Sequence, residues 1–261
     1  MLLHMTRNRQ TSSAPLSSTA SPAPSRKLLW AGVLFALVYP PAITWLYFVL
    51  ASDYSQGLQQ SLFLIVKSIQ FVFPVAWVWF VLREPLRTGR LTARGIAIGA
   101  LSGALIVGAG WLLFDVVLRD LPIFTKASEF TLQKIASYGI DSVWKFAALA
   151  AFYSVIHSFL EEYYWRWFVF GQLRRLVPLW PAIVVSSLGF MVHHVIVLNQ
   201  IFKDAPALAW LLSAAVALGS GFWAWLYDRT GSLLGPWLSH LLIDAGIFWI
   251  GYDLIRGSIA H

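Results

Sequence analysis

The chain has 261 residues, of which 58% are hydrophobic and only 12% charged. That charged share is about half of the ~25% found in soluble domains, which excludes an ordinary soluble protein. The formal net charge of +7 is read as Lys and Arg flanking membrane spans, so no nucleic-acid partner is expected. Cysteine is absent, which excludes disulfides, thiolate metal sites and a cysteine nucleophile.

Residues 1–27 are rich in Ser, Thr, Ala and Pro and carry Arg7, Arg9, Arg26 and Lys27. They lack the apolar content needed to fold and read as a disordered cytoplasmic tail. The apolar run that follows continues past Pro40 and Pro41 to Ala51, too long for a signal-peptide core, and reads as a retained helix with a kink. Further runs of the ~20 apolar residues that a span requires fall at 61–82, 94–118, 144–172, 180–201, 207–227 and 232–253. With 28–51, these predict an all-α, polytopic membrane helix bundle of about seven transmembrane helices. The runs lack the alternation of barrel strands.

The loops support alternation. Arg83, Arg87, Arg90 and Arg94, then Arg174 and Arg175, then Arg229 fall on the same side as the N-terminal tail, so positive-inside counting places the N-terminus in the cytoplasm. Asp53, Lys203, Asp204 and the mixed-charge 119–142 segment fall on the other side. That segment, with Pro122, Lys126, Glu129 and Lys134, reads as a short interfacial helix. The expected organisation is a tail at 1–27, N-terminal spans with an interfacial segment at 28–142, a helical core at 143–254 and a C-terminal tail at 255–261. No internal repeat is visible, which argues against a transporter.

The polar groups inside the spans carry the functional information. Glu161, Glu162 and Arg166 occur within six residues of a segment rich in aromatic and aliphatic side chains. A charged side chain near a bilayer centre costs at least ~2.5–3.5 kcal/mol, so such groups mark function by default. Glu162 and Arg166 are four residues apart on one helical face and read as a structural ion pair. Glu161 is rotated from Glu162 by about 100°, shares a face with His157, and has no local cation. The later spans carry His193-His194 and His240-x-x-x-Asp244. Counted from the cytoplasmic ends of their spans, Glu161, His194, His240 and Asp244 can meet in one layer, at or somewhat cytoplasmic of the midplane. A carboxylate beside an imidazole can hold and deprotonate a water. A second imidazole with Asp244 can stabilise an oxyanion. These are the parts of peptide hydrolysis without a covalent intermediate.

The pattern Glu161-Glu162-x-x-x-Arg166, then Phe190-x-x-x-His194, then His240-x-x-x-Asp244 on successive spans resembles the CPBP family, which comprises CAAX prenyl endopeptidases and bacteriocin-processing, Abi-type membrane proteases. The resemblance covers roughly residues 144–250. It implies a glutamate-type intramembrane endopeptidase in which Glu161 is the base, His194 helps activate the water, His240 and Asp244 stand at the oxyanion-stabilising positions, and Glu162 with Arg166 supports the site. Membrane lipid and a peptide or protein substrate are the implied partners, and the bacterial inner membrane the implied location. Prenyl-protein proteases characteristically carry Asn where this chain has Asp244. An ionised Asp cannot donate to an oxyanion, so Asp244 must be protonated or must orient His240.

Other readings compete. His193, turned from His194 by a helical step, is expected to be an ordinary residue, His157 to be an ordinary core residue although its face would let it modulate Glu161, and Lys67 to snorkel from the outer end of its span. No cofactor is expected, although two histidines with Glu and Asp could also hold zinc as a metal-dependent hydrolase does; the absence of His-Glu-x-x-His argues against a standard zinc protease. A non-enzymatic immunity or scaffold protein could use the same buried groups.

Overall fold

The computed structural model describes residues 24–51, 54–86 and 89–259. Arg7, Arg9, Asp53, Arg87 and most of the expected tail lie outside them. Eight long helical segments follow in order: α1 (Arg26–Leu50), α2 (Gln56–Val81), α3 (Ala93–Leu118), α4 (Pro122–Ser137), α5 (Val143–Arg174), α6 (Leu179–Ile201), α7 (Pro206–Thr230) and α8 (Leu234–Ile255). All except α4 are long and apolar enough to cross a membrane, giving seven spans among the described residues. Every expected span is matched by one of them. α2 begins five residues before the expected 61, which matters for Lys67 below.

Local chemistry sets the boundaries. The Ser25 hydroxyl accepts from the Leu28 amide to cap α1. α1 runs through Pro40 and Pro41 without ending, and the Thr44 hydroxyl bonds the Pro40 carbonyl at 2.8 Å. Pro122 and Pro206 start α4 and α7, where their missing amide donors are no loss. α7 stops at Gly231, whose φ of 63° is left-handed and suits glycine. The Gly231 carbonyl then accepts from the Arg90 amide at 3.1 Å, tying the α2–α3 loop to the α7–α8 turn.

Two features position the site. The first lies in α5, where π-helical turns at Phe152–His157 and Tyr163–Phe170 flank a short α-helical stretch, Ser158–Glu162. Such wide turns recur at functional sites because they rotate and shift the side chains that follow. The second is a seam of small residues between α3 and α8. Gly95 and Gly99 approach the Gly235 backbone so closely that a Cβ on either glycine of the Gly99–Gly235 contact would collide. At Gly103 a Cβ would lie 3.0 Å from Ser239 Cα, and at Gly246 2.9 Å from Val107. Ser102 and Ser239 share a hydrogen bond across the seam at 3.2 Å. This is the small-residue packing by which membrane helices bring their backbones together.

The main core gathers Trp165, Phe168 and Phe170 of α5 with Val33 of α1, Phe190 of α6 and Trp223 of α7. By contrast α2 buries only Gln70, Pro74 and Val78. On the face bearing the N-terminus of α1, Arg174 pairs with Asp228 at 2.9 Å and Arg175 with Glu84 at 2.8 Å. On the opposite face Arg119 joins Asp115 to Asp253, and Lys126 of α4 reaches Asp204 at 2.6 Å. That last contact holds the exposed Asp204 carboxyl below and the Lys126 ammonium above their ordinary values. Lys134 of α4 lies over the rings of Tyr47, Phe48 and Tyr138, and burial pushes its ammonium down.

Candidate active site

Glu161 and Glu162 project from the α-helical stretch between the two wide turns, and both are buried, at 4% and 0% exposure. Their surroundings differ. Glu162 Oε2 lies 3.1 Å from Arg166 Nε, and its Oε1 lies 2.8 Å from His240 Nδ1. The Arg166 guanidinium sits between the rings of Phe190 and Trp223, each centroid 4.9 Å away. Its contact with Glu162 is an ion pair without aligned hydrogen bonds: the three guanidinium nitrogens have no hydrogen-bond partner among the described residues. Trp223 in turn stacks on His240 at 4.4 Å and 19°. Glu162 therefore does two things at once: it balances Arg166 and accepts the Nδ1 proton of His240. That second bond fixes the tautomer and turns Nε2 toward Glu161, as a carboxylate does for an imidazole in other sites.

Glu161 faces three imidazoles from three helices. His193 Nε2 is 3.6 Å from its Oε1, and His240 Nε2 and His157 Nδ1 are 3.7 and 3.9 Å from its Oε2. His240 Nε2 is also 3.6 Å from Asp244 Oδ1. These separations are a little longer than a direct hydrogen bond, and the groups border a cavity with room for water. The His194 Nδ1 bonds the Phe190 carbonyl one turn back at 2.9 Å; a carbonyl only accepts, so Nδ1 carries the proton and Nε2 is left as an acceptor. No group of three or more His, Asp or Glu among the described residues has the convergence needed to hold a metal ion.

A cavity of about 360 Å³ joins these groups. Glu161, His157, His193, His194, His240 and Asp244 form its polar end. Its remaining wall is Thr44 and Tyr47 of α1, Phe63 and Lys67 of α2, Tyr153 of α5, and Ile247 and Phe248 of α8, among others. The structure thus brings the four sequence-predicted residues Glu161, His194, His240 and Asp244 to one cavity, with Glu162 and Arg166 directly behind it.

Three expectations are corrected. His193 is not an ordinary residue: it borders the cavity together with His194, and His193 rather than His194 comes nearest Glu161. His157 is not an ordinary core residue, because it lines the cavity one turn from Glu161. Lys67 does not snorkel from a span end. With α2 starting at Gln56, it sits eleven residues in and lines the cavity. A cationic side chain in the middle of a span is itself a signal of function, and the polar residues Gln56, Gln59 and Gln60 at the start of α2 hide that depth in the sequence. The Glu162–His240 bond has no sequence signature, since the two residues are 78 positions apart.

No curated protein and no solved structure matches the chain significantly. One family model does, over residues 143–246, described as Rce1-like, type II CAAX prenyl endopeptidase Rce1-like. The match contains Glu161, Glu162, Arg166, His193, His194, His240 and Asp244, and excludes α1, α2, α3 and α4. The segment that builds the polar end of the cavity, residues 143–246, is thus the part of the chain that is similar to the Rce1-like type II CAAX prenyl endopeptidases.

Proposed function

We propose that this multi-pass membrane protein is an endopeptidase that hydrolyses a peptide bond of a membrane-associated protein or peptide by direct attack of water, with Glu161 as general base. The observation that carries the reading is a buried carboxylate held 3.6–3.9 Å from three imidazole nitrogens at the end of a cavity large enough for a peptide segment. A water in that space gives one proton to Glu161 as its oxygen adds to the scissile carbonyl carbon. The His194 Nε2 accepts from the same water and orients it. The carbonyl oxygen becomes an oxyanion, to which His240 in its imidazolium form donates from Nε2 while Nδ1 donates to Glu162. Asp244, 3.6 Å from that nitrogen, orients and balances His240 instead of donating to the oxyanion, which accommodates Asp at a position where prenyl-protein proteases carry Asn. The C–N bond then breaks, and Glu161 returns its proton to the amine leaving group.

The test uses purified protein in liposomes and a quenched-fluorescent peptide bearing a farnesylated cysteine, with products identified by mass. Glu161→Gln removes the base and is expected to lower kcat by about 10²–10⁴-fold, the range of general-base contributions. Equal turnover by wild type and Glu161→Gln would eliminate the mechanism.

A further inference from the structure

The chemistry at the polar end leaves Lys67 unused. It is the only Lys or Arg among the residues lining the cavity, and it comes from α2, outside the family match. A charge in the middle of a span is costly unless it is matched. Within the protein it has no direct ion pair, and Glu161 attracts it only from beyond 4.0 Å. Its ammonium donates one hydrogen bond, to the neutral Gln70 Oε1 at 3.2 Å. It lies over the rings of Phe63 and Phe71, at 5.9 and 5.7 Å, and the Phe71 ring meets His157 edge-on at 5.9 Å. Among the described residues no carboxylate oxygen comes within 4.0 Å of it. The two cavity carboxylates, Glu161 and Asp244, are already engaged by imidazoles. An ammonium with two donors to spare, lining the same cavity as the reacting groups, fits an anionic group brought in by the ligand.

We propose that Lys67 is a substrate-binding residue that receives a carboxylate carried by the bound peptide close to the scissile bond. This assignment names the substrate class of the endopeptidase proposed above and rests on that reading. The carboxylate has two chemical sources, the peptide's C-terminus or an Asp or Glu side chain. Either is drawn from water into an aromatic-walled site, where the charge-assisted bond to Lys67 replaces hydration. A peptide without a carboxylate leaves the ammonium unmatched and is selected against.

Equilibrium binding to the detergent-solubilised protein tests this with three probes: N-dodecanoyl-Ala-Val-Leu as the free acid, the same peptide as its C-terminal amide, and N-dodecanoyl-Ala-Val-Asp amide. Wild type is expected to bind at least one carboxylate-bearing probe about tenfold or more tightly than the neutral amide. Lys67→Met should abolish the preference, and Lys67→Arg should retain most of it. Preference for the free acid alone identifies the chain terminus as the source; preference for the Asp amide identifies the side chain. Equal binding of all three probes by wild type, or a preference that survives in Lys67→Met, overturns the proposal. Turnover of the farnesylated peptide is measured in parallel. A lost preference with intact, Glu161-dependent turnover refutes the Lys67 assignment alone. An intact preference with no Glu161-dependent turnover refutes the endopeptidase reading and leaves a carboxylate-binding site.

Discussion

Replacing Glu162 separates what it does for stability from what it does for the site. Its side chain is fully buried, 3.1 Å from the Arg166 guanidinium and 2.8 Å from His240 Nδ1. Glu162→Leu leaves a buried cation whose remaining support is two ring faces at 4.9 Å. Cation–π contacts of this kind contribute roughly 0.5–2 kcal/mol, less than the ~3–5 kcal/mol lost when one partner of a buried pair is removed. The single variant should therefore be destabilised by about 3 kcal/mol or more. Adding Arg166→Met removes the orphaned charge, and the double variant should recover to within about 1 kcal/mol of wild type, because apolar replacements of buried pairs are often neutral. Activity should not recover. His240 remains without its Nδ1 acceptor in both variants, and kcat should stay down by about 10–100-fold, the usual effect of losing an orienting partner. The measurements are unfolding in mixed micelles and turnover of the farnesylated peptide for the four members of the cycle. A double variant no more stable than Glu162→Leu would show that Arg166 is not what Glu162 compensates. A double variant with wild-type turnover would refute the assignment of Glu162 as the group that orients His240.

Further outcomes follow from the same geometry. His193→Ala should lower kcat by about tenfold or more, since its Nε2 is the imidazole nitrogen nearest Glu161; turnover equal to wild type would return His193 to a packing role. Because water activation is assigned to Glu161 and His194, turnover should persist after dialysis against a strong chelator, and loss restored by zinc would contradict it. Gly99→Val should collide with the Gly235 backbone and cost roughly 2 kcal/mol or more, whereas Gly108→Ala, with open space around it, should change stability by less than ~1 kcal/mol; similar melting shifts for the two would remove the seam argument. Lys126→Ala breaks an exposed ion pair and should move the melting temperature by no more than about 2–4 °C at pH 7. Because Asp204 is held below its ordinary value, any contribution from that pair is present at neutral pH and disappears as pH falls through the carboxyl's lowered value.

The seven spans were legible because bilayer thickness imposes a run length that composition alone reveals. The pairing of Glu162 with Arg166 was legible because helical periodicity fixes it locally. The neighbours of Glu161 were only partly legible. A spacing of four predicts that His240 and Asp244 share a face, yet nothing in the sequence states how α6 is rotated about its axis. That rotation decides that His193, as well as His194, borders the cavity. Lys67 was illegible because α2 starts at Gln56, five residues before the apolar run at 61–82, which places the charge in the middle of the span and not at its end. The Glu162–His240 bond depends on where α8 sits, which the glycines of α3 determine from more than a hundred residues away.

That glycine seam also constrains how the molecule moves. Backbones packed this closely cannot slide or rotate past each other without a collision, so α3 and α8 behave as one stiff body and hold His240 and Asp244 still. α2 meets the core differently, through the partly buried rings of Phe71, Phe73 and Trp77, whose side chains can change rotamer where touching backbones cannot. Lys67 is therefore carried by the wall that can adjust, and His240 and Asp244 by the wall that cannot.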